Sequence, residues 1–402
     1  MVPVNLESRT KQRVGPGSRP RYIVKPMNHK SYSLASYCSS TAWGGLEMNV
    51  LRLLVWMRQR GWEIVFYGDP QARLFQEASL ANIRTEPVTT RLRSGDLVNA
   101  WRLARFARQD QVRWLVVHQS SDIFMGVFAR LFSRGRIKLI YSQNMHIGKN
   151  KRDPYHAWLY RRIDAMDTPL KWLADRVLEK TTLPPERLHI LPRGVEIEKF
   201  TSLRPSQADA RKRLDLPPDQ PVLGVVGRMD PKKGQDIAVD ALAQLGQLGY
   251  HPHLLLVGDR SHDHGDEFEL RIHRIVADNH IETQVHFLPC REDIEWIYAA
   301  LDIYLMTSKS ECYGMVTLEA LLSGLPVIGT RDGGTIDLVL PDQNGLLVAP
   351  RNVGQLVEAV RSLLDDPETA RRMGRFAQED AIARFSHVRQ CEAWEKLLAD
   401  LA

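Results

Sequence analysis

Two carboxylates with seven residues between them, Glu311 and Glu319, sit in the stretch SECYGMVTLEALLSGLPVIG (310–329). The apolar run DIYLMT just before them reads as a strand, which places Glu311 in a loop at the carboxyl edge of a sheet. Glu319 falls one turn inside the apolar helical pattern that starts near Gly314. Both acids can therefore reach one ligand at a helix N-terminus. Gly314 admits close backbone approach there, and the free N–H groups of Met315 and Val316 can receive an anion such as a phosphate. Two hydrogen-bond-accepting acids beside a phosphate nest suit a molecule that carries both hydroxyls and phosphates.

The elements that position these groups follow from length and pattern. The 402 residues exceed the roughly 250 to 300 at which one core stops growing, which predicts two domains of about 200. With 44% hydrophobic and 25% charged residues, each half can bury a core of its own. Residues 1–20, rich in Arg, Gly, Pro and Ser, read as a flexible leader. From Arg21 onward RYIVKP, EIVFYG, WLVVH and KLIYSQ read as strands, with helices through LEMNVLRLLVWMRQRG, NAWRLARFARQ and IFMGVFARLF. This alternation predicts a Rossmann-like domain over residues 21–200, with helices on both faces of a parallel sheet. The proline-containing stretch 201–219 reads as a linker. PVLGVVGR, HLLLVG, QVHFLP, DIYLMT, LPVIGT and GLLVAP then form a second Rossmann-like domain over 220–384. Residues 385–402 read as an amphipathic helix able to pack back on the first domain.

The predicted fold class is thus α/β, two doubly wound domains facing a cleft at the carboxyl ends of their strands, where open α/β sheets bind ligands. A dinucleotide enzyme is the obvious rival for such a fold, but no G-x-G-x-x-G follows any predicted strand. The net charge of +6 hides an asymmetry: residues 1–200 hold 33 Lys and Arg against 17 Asp and Glu, while residues 201–402 hold 21 against 31. A basic half is drawn to phosphates, anionic lipid head groups or nucleic acid. For nucleic acid there is neither an aromatic-rich strand motif nor a helix-turn-helix signature, so no nucleic-acid partner is expected. Cys38, Cys290, Cys312 and Cys391 lie far apart, with no C-x-x-C and no histidine at metal spacing, which argues against a disulfide framework or a structural zinc and fits a reducing cytoplasm. No run reaches about 18 apolar residues and no signal-peptide segment opens the chain, so a cytoplasmic protein that does not span a membrane is expected.

The run ECYGMVTLE, followed by GLPVIGT, DGGTID and NGLLVAP, resembles the signature of the retaining GT-B glycosyltransferases of family four, the E-x7-E group. In that family the first acid contacts hydroxyls of the donor sugar, the second contacts the ribose, and backbone amides between them contact the diphosphate. The resemblance assigns these roles to Glu311, Glu319 and the segment of Gly314, Met315 and Val316. In GVVGRMDPKKGQD, Arg228 and Lys233 match the family's G-R and K-G positions and would hold the two phosphates of the departing nucleoside diphosphate, while Lys232 is expected to be solvated. Fixed cations in a dry cleft stabilise such growing charge best. The chain has no D-x-D of the kind a diphosphate-bridging metal needs, and these cations with the helix N-terminus can replace it, so no metal or other cofactor is expected.

By the same resemblance, Gly44 and Gly45 in STAWGGLEMN correspond to the family's G-G-x-E turn, whose backbone lies against the donor phosphates and the reaction centre. His146, in KLIYSQNMHIGKNKRD, matches a histidine near the sugar carbon undergoing substitution, and His118 is read as a strand-end residue packing beneath it. Cys290, just past QVHFLP, is placed with the donor-binding residues. LPRGVEIEKF (191–200) resembles the family's domain junction, except that Arg193 stands where asparagine is common; Asp337 likewise stands where a glutamate usually follows D-G-G. The segment 145–165 resembles bacterial transferases that build cell-surface glycans such as lipopolysaccharide.

The resemblance implies transfer of a sugar from a UDP- or GDP-linked donor to a hydroxyl of a glycan or lipid-linked acceptor, with retention and through an oxocarbenium-like transition state. A donor phosphate oxygen takes the acceptor proton, so Glu311 positions the sugar rather than attacking it. Two other readings stand beside this one: a GT-B relative that epimerises or phosphorolyses sugars, and a nucleic-acid-binding protein. Arg134, Arg136, Lys138, Lys149, Lys151, Arg152, Arg161 and Arg162 interleave with Tyr155, Trp158, Leu159 and Tyr160, and an earlier helix adds Arg102, Arg105 and Arg108 beside Trp101 and Phe106. Cations among rings and aliphatic chains predict peripheral contact with an anionic membrane at its cytoplasmic face.

Overall fold

The computed structural model of the chain describes residues 33–89, 95–260 and 266–402. Two all-parallel sheets organise them. The first holds β1 (Ser33–Cys38), β2 (Ile64–Gly68), β3 (Arg84–Pro87), β4 (Val112–Val117), β5 (Lys138–Ser142), β6 (Ala165–Thr168) and β7 (Leu188–Ile190), in the order β3-β2-β1-β4-β5-β6-β7. The second holds β8 (Val222–Val226), β9 (His253–Val257), β10 (Val285–Leu288), β11 (Ile303–Met306), β12 (Val327–Thr330) and β13 (Gly345–Val348), in the order β10-β9-β8-β11-β12-β13. In both sheets the winding reverses beside the first strand, between β1 and β4 and between β8 and β11. The loops leaving those strand ends diverge and open a crevice.

Helices cover both faces, so inner strands such as VLGVV and HLLLV are almost continuously apolar and buried. β1 differs. Its sequence SLASYC carries small and hydroxyl residues and is not among the strands read from the sequence pattern, yet it pairs with both β2 and β4 at the centre of its sheet. The strand expected over RYIVKP and the expected leader lie outside the described residues. Residues 201–219, read from their prolines as a linker, contain the helix Gln207–Arg213, and Ala210, Leu214 and Leu216 join a core of the second sheet. Arg211 anchors that helix through Asp302 at 2.6 Å.

The chain crosses between the sheets twice. Val195 N–H donates to the Phe385 carbonyl at 2.9 Å, and His387 N–H returns to the Val195 carbonyl at 3.1 Å. A Cβ on Gly194 would lie 2.5 Å from the His387 Cα, so this crossing requires glycine. Beyond it the helix His387–Asp400 packs on the helix Gly45–Gln59, where Trp394, Leu397 and Leu398 share a core with Leu53 and Trp56, and Arg60 pairs with Glu395 at 2.7 Å.

Arg193, at the first crossing, is buried, with its guanidinium 2.6 Å from buried Asp167 on β6 and donating to the Gln143 carbonyl at 2.7 Å. Its own carbonyl accepts the Tyr313 hydroxyl at 2.8 Å, which ties the junction to the second domain. Asp337 makes another tie: its carboxylate accepts the Trp172 N–H at 2.7 Å and so caps the helix Lys171–Lys180 of the other domain. Among the described residues no helix is long and apolar enough to cross a membrane.

Candidate active site

The loop after β8 meets the loop after β11. The Thr307 hydroxyl donates to the Lys233 carbonyl at 2.8 Å, and Lys309 N–H donates to the Lys232 carbonyl at 2.8 Å. Gly234 has φ +70°, and a Cβ there would stand 2.5 Å from the Thr307 carbonyl oxygen. This close approach brings the Lys233 ammonium to 2.5 Å from the Glu311 carboxylate, while Lys232 stays exposed. Arg228 follows Gly227 at the end of β8; its exposed guanidinium has no ion-pair or hydrogen-bond partner among the described residues.

The segment Asp332, Gly333 and Gly334 straps the Glu311 loop from the other side. Gly334 N–H donates to the Glu311 carbonyl at 2.7 Å, and the Asp332 carboxylate accepts from the Ser310 N–H and hydroxyl at 3.1 and 3.2 Å. Gly333 has φ +61°, with its would-be Cβ 2.3 Å from the Glu311 carbonyl oxygen. Only glycine fits.

Gly314, at φ +82°, caps the helix Met315–Leu322. The N–H groups of Met315 and Val316 lie in its first turn, where no intrahelical acceptor exists. Glu319 is half-buried one turn on, and its carboxylate accepts the Tyr298 hydroxyl at 3.0 Å. Burial pushes the Glu319 carboxyl above its usual range, only partly offset by the Tyr298 hydrogen bond. Tyr298 lies in the apolar helix Ile294–Ala300, where nothing in the sequence singles it out.

The first domain reaches this cluster through His146. Its Nδ1 lies 3.7 Å from the Cys312 sulfur, one residue from Glu311, and its ring centroid is 6.4 Å from that of Trp172. Gly44 caps the helix Gly45–Gln59 with extended backbone, and a Cβ on Gly45 would meet nothing. Cys290 is exposed beyond edge strand β10, and its N–H donates to Asp259 at 2.9 Å. The structure thus gathers Lys233, Glu311, the Gly314 turn, Glu319 and His146, and leaves Cys290 bonded elsewhere.

Sequence reasoning missed the cavity beside His146. About 920 Å³ in volume, it is lined among others by Ser39, Gln119, Asp122, Lys149 and Lys151. Asp122 is buried in its wall and accepts the Ser39 hydroxyl at 2.5 Å and the Ser39 N–H at 3.3 Å. Burial pushes its carboxyl up to about 6. His118 is buried in the same wall, with Nε2 2.8 Å from the Ser36 hydroxyl; burial and, secondarily, the Arg193 charge lower it to about 3. The chain segments involved lie about 80 residues apart, so no local spacing reveals their contact.

Two doubly wound domains, with strand ends facing a crevice that offers cations, acids and a helix N-terminus, define the GT-B architecture. Residues 206–380 match the family described as "Glycosyl transferases group 1", and residues 43–199 match "Glycosyltransferase Family 4". The chain belongs to the family-four type of GT-B glycosyltransferases.

It is 32% identical over 222 residues to a D-inositol 3-phosphate glycosyltransferase of Corynebacterium jeikeium, covering 53% of this chain and 52% of that protein. It is 29% identical over 203 residues to the lipopolysaccharide core biosynthesis glycosyltransferase LpsE of Rhizobium meliloti, covering 50% and 57%. Each match therefore spans little more than half the length of the relative. Among solved structures, that of Anabaena HepE in complex with UDP superposes with a TM-score of 0.79 at 22% identity, covering 92% of this chain and 100% of that one.

Proposed function

We propose that this protein transfers a sugar, with retention, from a UDP- or GDP-linked donor to a hydroxyl of a glycan or glycolipid acceptor, working in the cytoplasm beside an anionic membrane. The observation that carries this reading is the 2.5 Å contact of Lys233 with Glu311 beside the Gly314 turn. One point of the crevice then offers a cation for phosphate, a carboxylate for sugar hydroxyls, and N–H groups for a diphosphate. Charge that develops on the leaving nucleoside diphosphate is stabilised by Lys233, Arg228 and the Met315 and Val316 amides. Glu319 accepts ribose hydroxyls, and the backbone at Gly44 and Gly45 closes on the donor from the first domain. His146 holds the sugar from the acceptor side, and the cavity lined by Ser39 and Asp122 receives the acceptor.

The donor phosphate oxygen takes the acceptor proton, so no side chain is needed as base. Metal independence is part of the proposal and rests on the absence of a D-x-D sequence, with cations in its place. The UDP bound to HepE and the glycan-building name of LpsE favour a uridine donor and an envelope-type acceptor.

The test is a panel of UDP-, GDP- and ADP-sugars in a thermal-shift assay, followed by transfer to candidate sugar-phosphate and glycolipid acceptors, with NMR of the new linkage. Stabilisation by one nucleotide sugar, retained anomeric configuration and indifference to EDTA are expected. An inverted product, a nucleotide sugar consumed without any acceptor, or loss of activity in EDTA restored by magnesium would each overturn the corresponding part.

A further inference from the structure

We infer that the helices Leu97–Gln109, Ile123–Phe132 and Pro154–Tyr160 together form a docking face for an anionic lipid leaflet. The inference rests on the transferase reading only for its purpose, which is to reach a lipid-linked acceptor.

The first of these helices buries Asn99, Ala100, Leu103, Ala104 and Ala107. Its opposite face carries Val98, Trp101, Arg102, Arg105 and Arg108, all exposed, with Val98 71% and Trp101 49% accessible. A large indole and a valine left in water beside three arginines give the composition of an interfacial helix, apolar groups to enter the acyl boundary and cations to meet head groups. Two helices on, Tyr155 and Trp158 are also exposed, and the Arg162 guanidinium stacks 3.9 Å from the Trp158 ring centroid. The helix Ile123–Phe132 joins the two: the Phe128 and Trp158 rings stand 5.7 Å apart, and Leu131 is exposed at its end.

Charge separates this face from an ordinary solvated one. Residues 97–162 hold thirteen Lys and Arg against three acids, Asp110, Asp122 and Asp153. Asp110 and Asp122 are buried, and Asp153 is engaged by His156 at 2.5 Å. Arg130 is drawn off to Asp164 at 2.8 Å, and Arg113, at the start of β4 rather than on these helices, to the carbonyl of Ala402. The remaining positive charge is complementary to an anionic leaflet, where each Lys or Arg near the surface strengthens attachment.

The orientation suits the reaction. Each of these helices starts at the carboxyl edge of the sheet, so Val98, Trp101 and Tyr155 lie toward the crevice end of the face. Lys149 and Lys151, on the loop between β5 and the helix Pro154–Tyr160, line the cavity beside His146. A leaflet seated on the face therefore lies next to the mouth of that cavity.

Co-sedimentation with phosphatidylcholine vesicles, with and without phosphatidylglycerol, tests the inference. The protein should pellet only with the anionic vesicles at low salt and be released at high salt. Arg102→Ser, Arg105→Ser and Arg162→Ser should each weaken vesicle affinity about fivefold. Val98→Ser with Trp101→Ser should weaken it at every salt concentration. Thermal stabilisation by the donor nucleotide, measured on the same samples, should stay at wild-type level in all variants. That readout also shows that the variants are folded, and its outcome belongs to the transferase reading alone. Wild-type protein that ignores anionic vesicles at low salt, vesicle binding indifferent to these substitutions, or tighter binding to duplex DNA than to vesicles would overturn the docking face.

Discussion

Lys233 and Glu311, 78 residues apart in the chain, are held 2.5 Å from each other by loops that leave adjacent parallel strands, β8 and β11. The position is the switch point of the second sheet, so the pair marks where the sheet itself opens for a ligand. With side chains 27% and 16% exposed, it contributes little stability, about 0 to 1 kcal/mol. Lys233→Ala and Glu311→Gln should therefore leave the melting temperature nearly unchanged while lowering kcat/KM for transfer on the order of 10² to 10³ fold. Purified variants that turn over at the wild-type rate would remove both residues from the site.

Gly333 offers a separate handle on the same acid. Alanine there places a methyl carbon 2.3 Å from the Glu311 carbonyl oxygen, on a backbone with positive φ. The Glu311 loop must move, and a displacement of about 1 Å at a reacting centre costs on the order of 10² in rate. Gly333→Ala is expected to lose transfer activity to that extent, although the residue contributes no side chain. Unchanged kcat in a folded Gly333→Ala protein would show that the loop tolerates displacement.

The buried pair of Arg193 and Asp167 makes a different prediction, about stability. Neither group is accessible, and the guanidinium also serves Ser142 and Gln143. Asp167→Ala strands the buried cation, which should cost about 3 to 5 kcal/mol in denaturant unfolding. Arg193→Met with Asp167→Leu removes both charges and should recover much of that loss. A double variant no more stable than Asp167→Ala would mean that the arginine is held by its other acceptors.

The strands that sequence alone reveals are those with a continuous apolar run, the partly buried edge strands β10 and β13 included. All six of the second sheet, and β2, β4 and β5 of the first, are short apolar runs between turn residues. β3 and β7 escape notice because RTEP and LHI, at the edges, carry no such run, and the buried β1 and β6 because SLASYC and AMDT break theirs with small and polar residues. The same contrast holds at the site. Glu311, Gly314 and Glu319 stand in one local pattern, and Lys233 in another, so spacing suffices to nominate them. Tyr298, Asp332 and the contact of Ser39 with Asp122 become visible only when remote loops meet at the carboxyl edges of the sheets. The two departures at Arg193 and Asp337 also gain an account: both hold the domain junction rather than the crevice.

The cavity wall carries two groups whose titrations oppose each other. His118, ordinarily near 6.5, is lowered by burial to about 3, so between these values the unfolded chain binds a proton that the folded protein refuses. Stability is then lost as pH falls through this window, by about 2 kcal/mol from pH 7 to pH 5. Asp122, ordinarily near 3.8, is raised to about 6, so the folded protein takes up a proton before the unfolded chain does. That gain sets in as pH falls through 6 and offsets about 1 kcal/mol by pH 5. His118→Gln should consequently flatten the loss of stability between pH 7 and pH 5, and Asp122→Asn should steepen it. Urea unfolding of the three proteins at the two pH values measures both slopes. The comparison depends on differences within each protein, so any uniform cost of either substitution cancels. Parallel slopes for wild type and His118→Gln would mean that His118 takes a proton freely in the folded state, which is incompatible with its burial against Ser36.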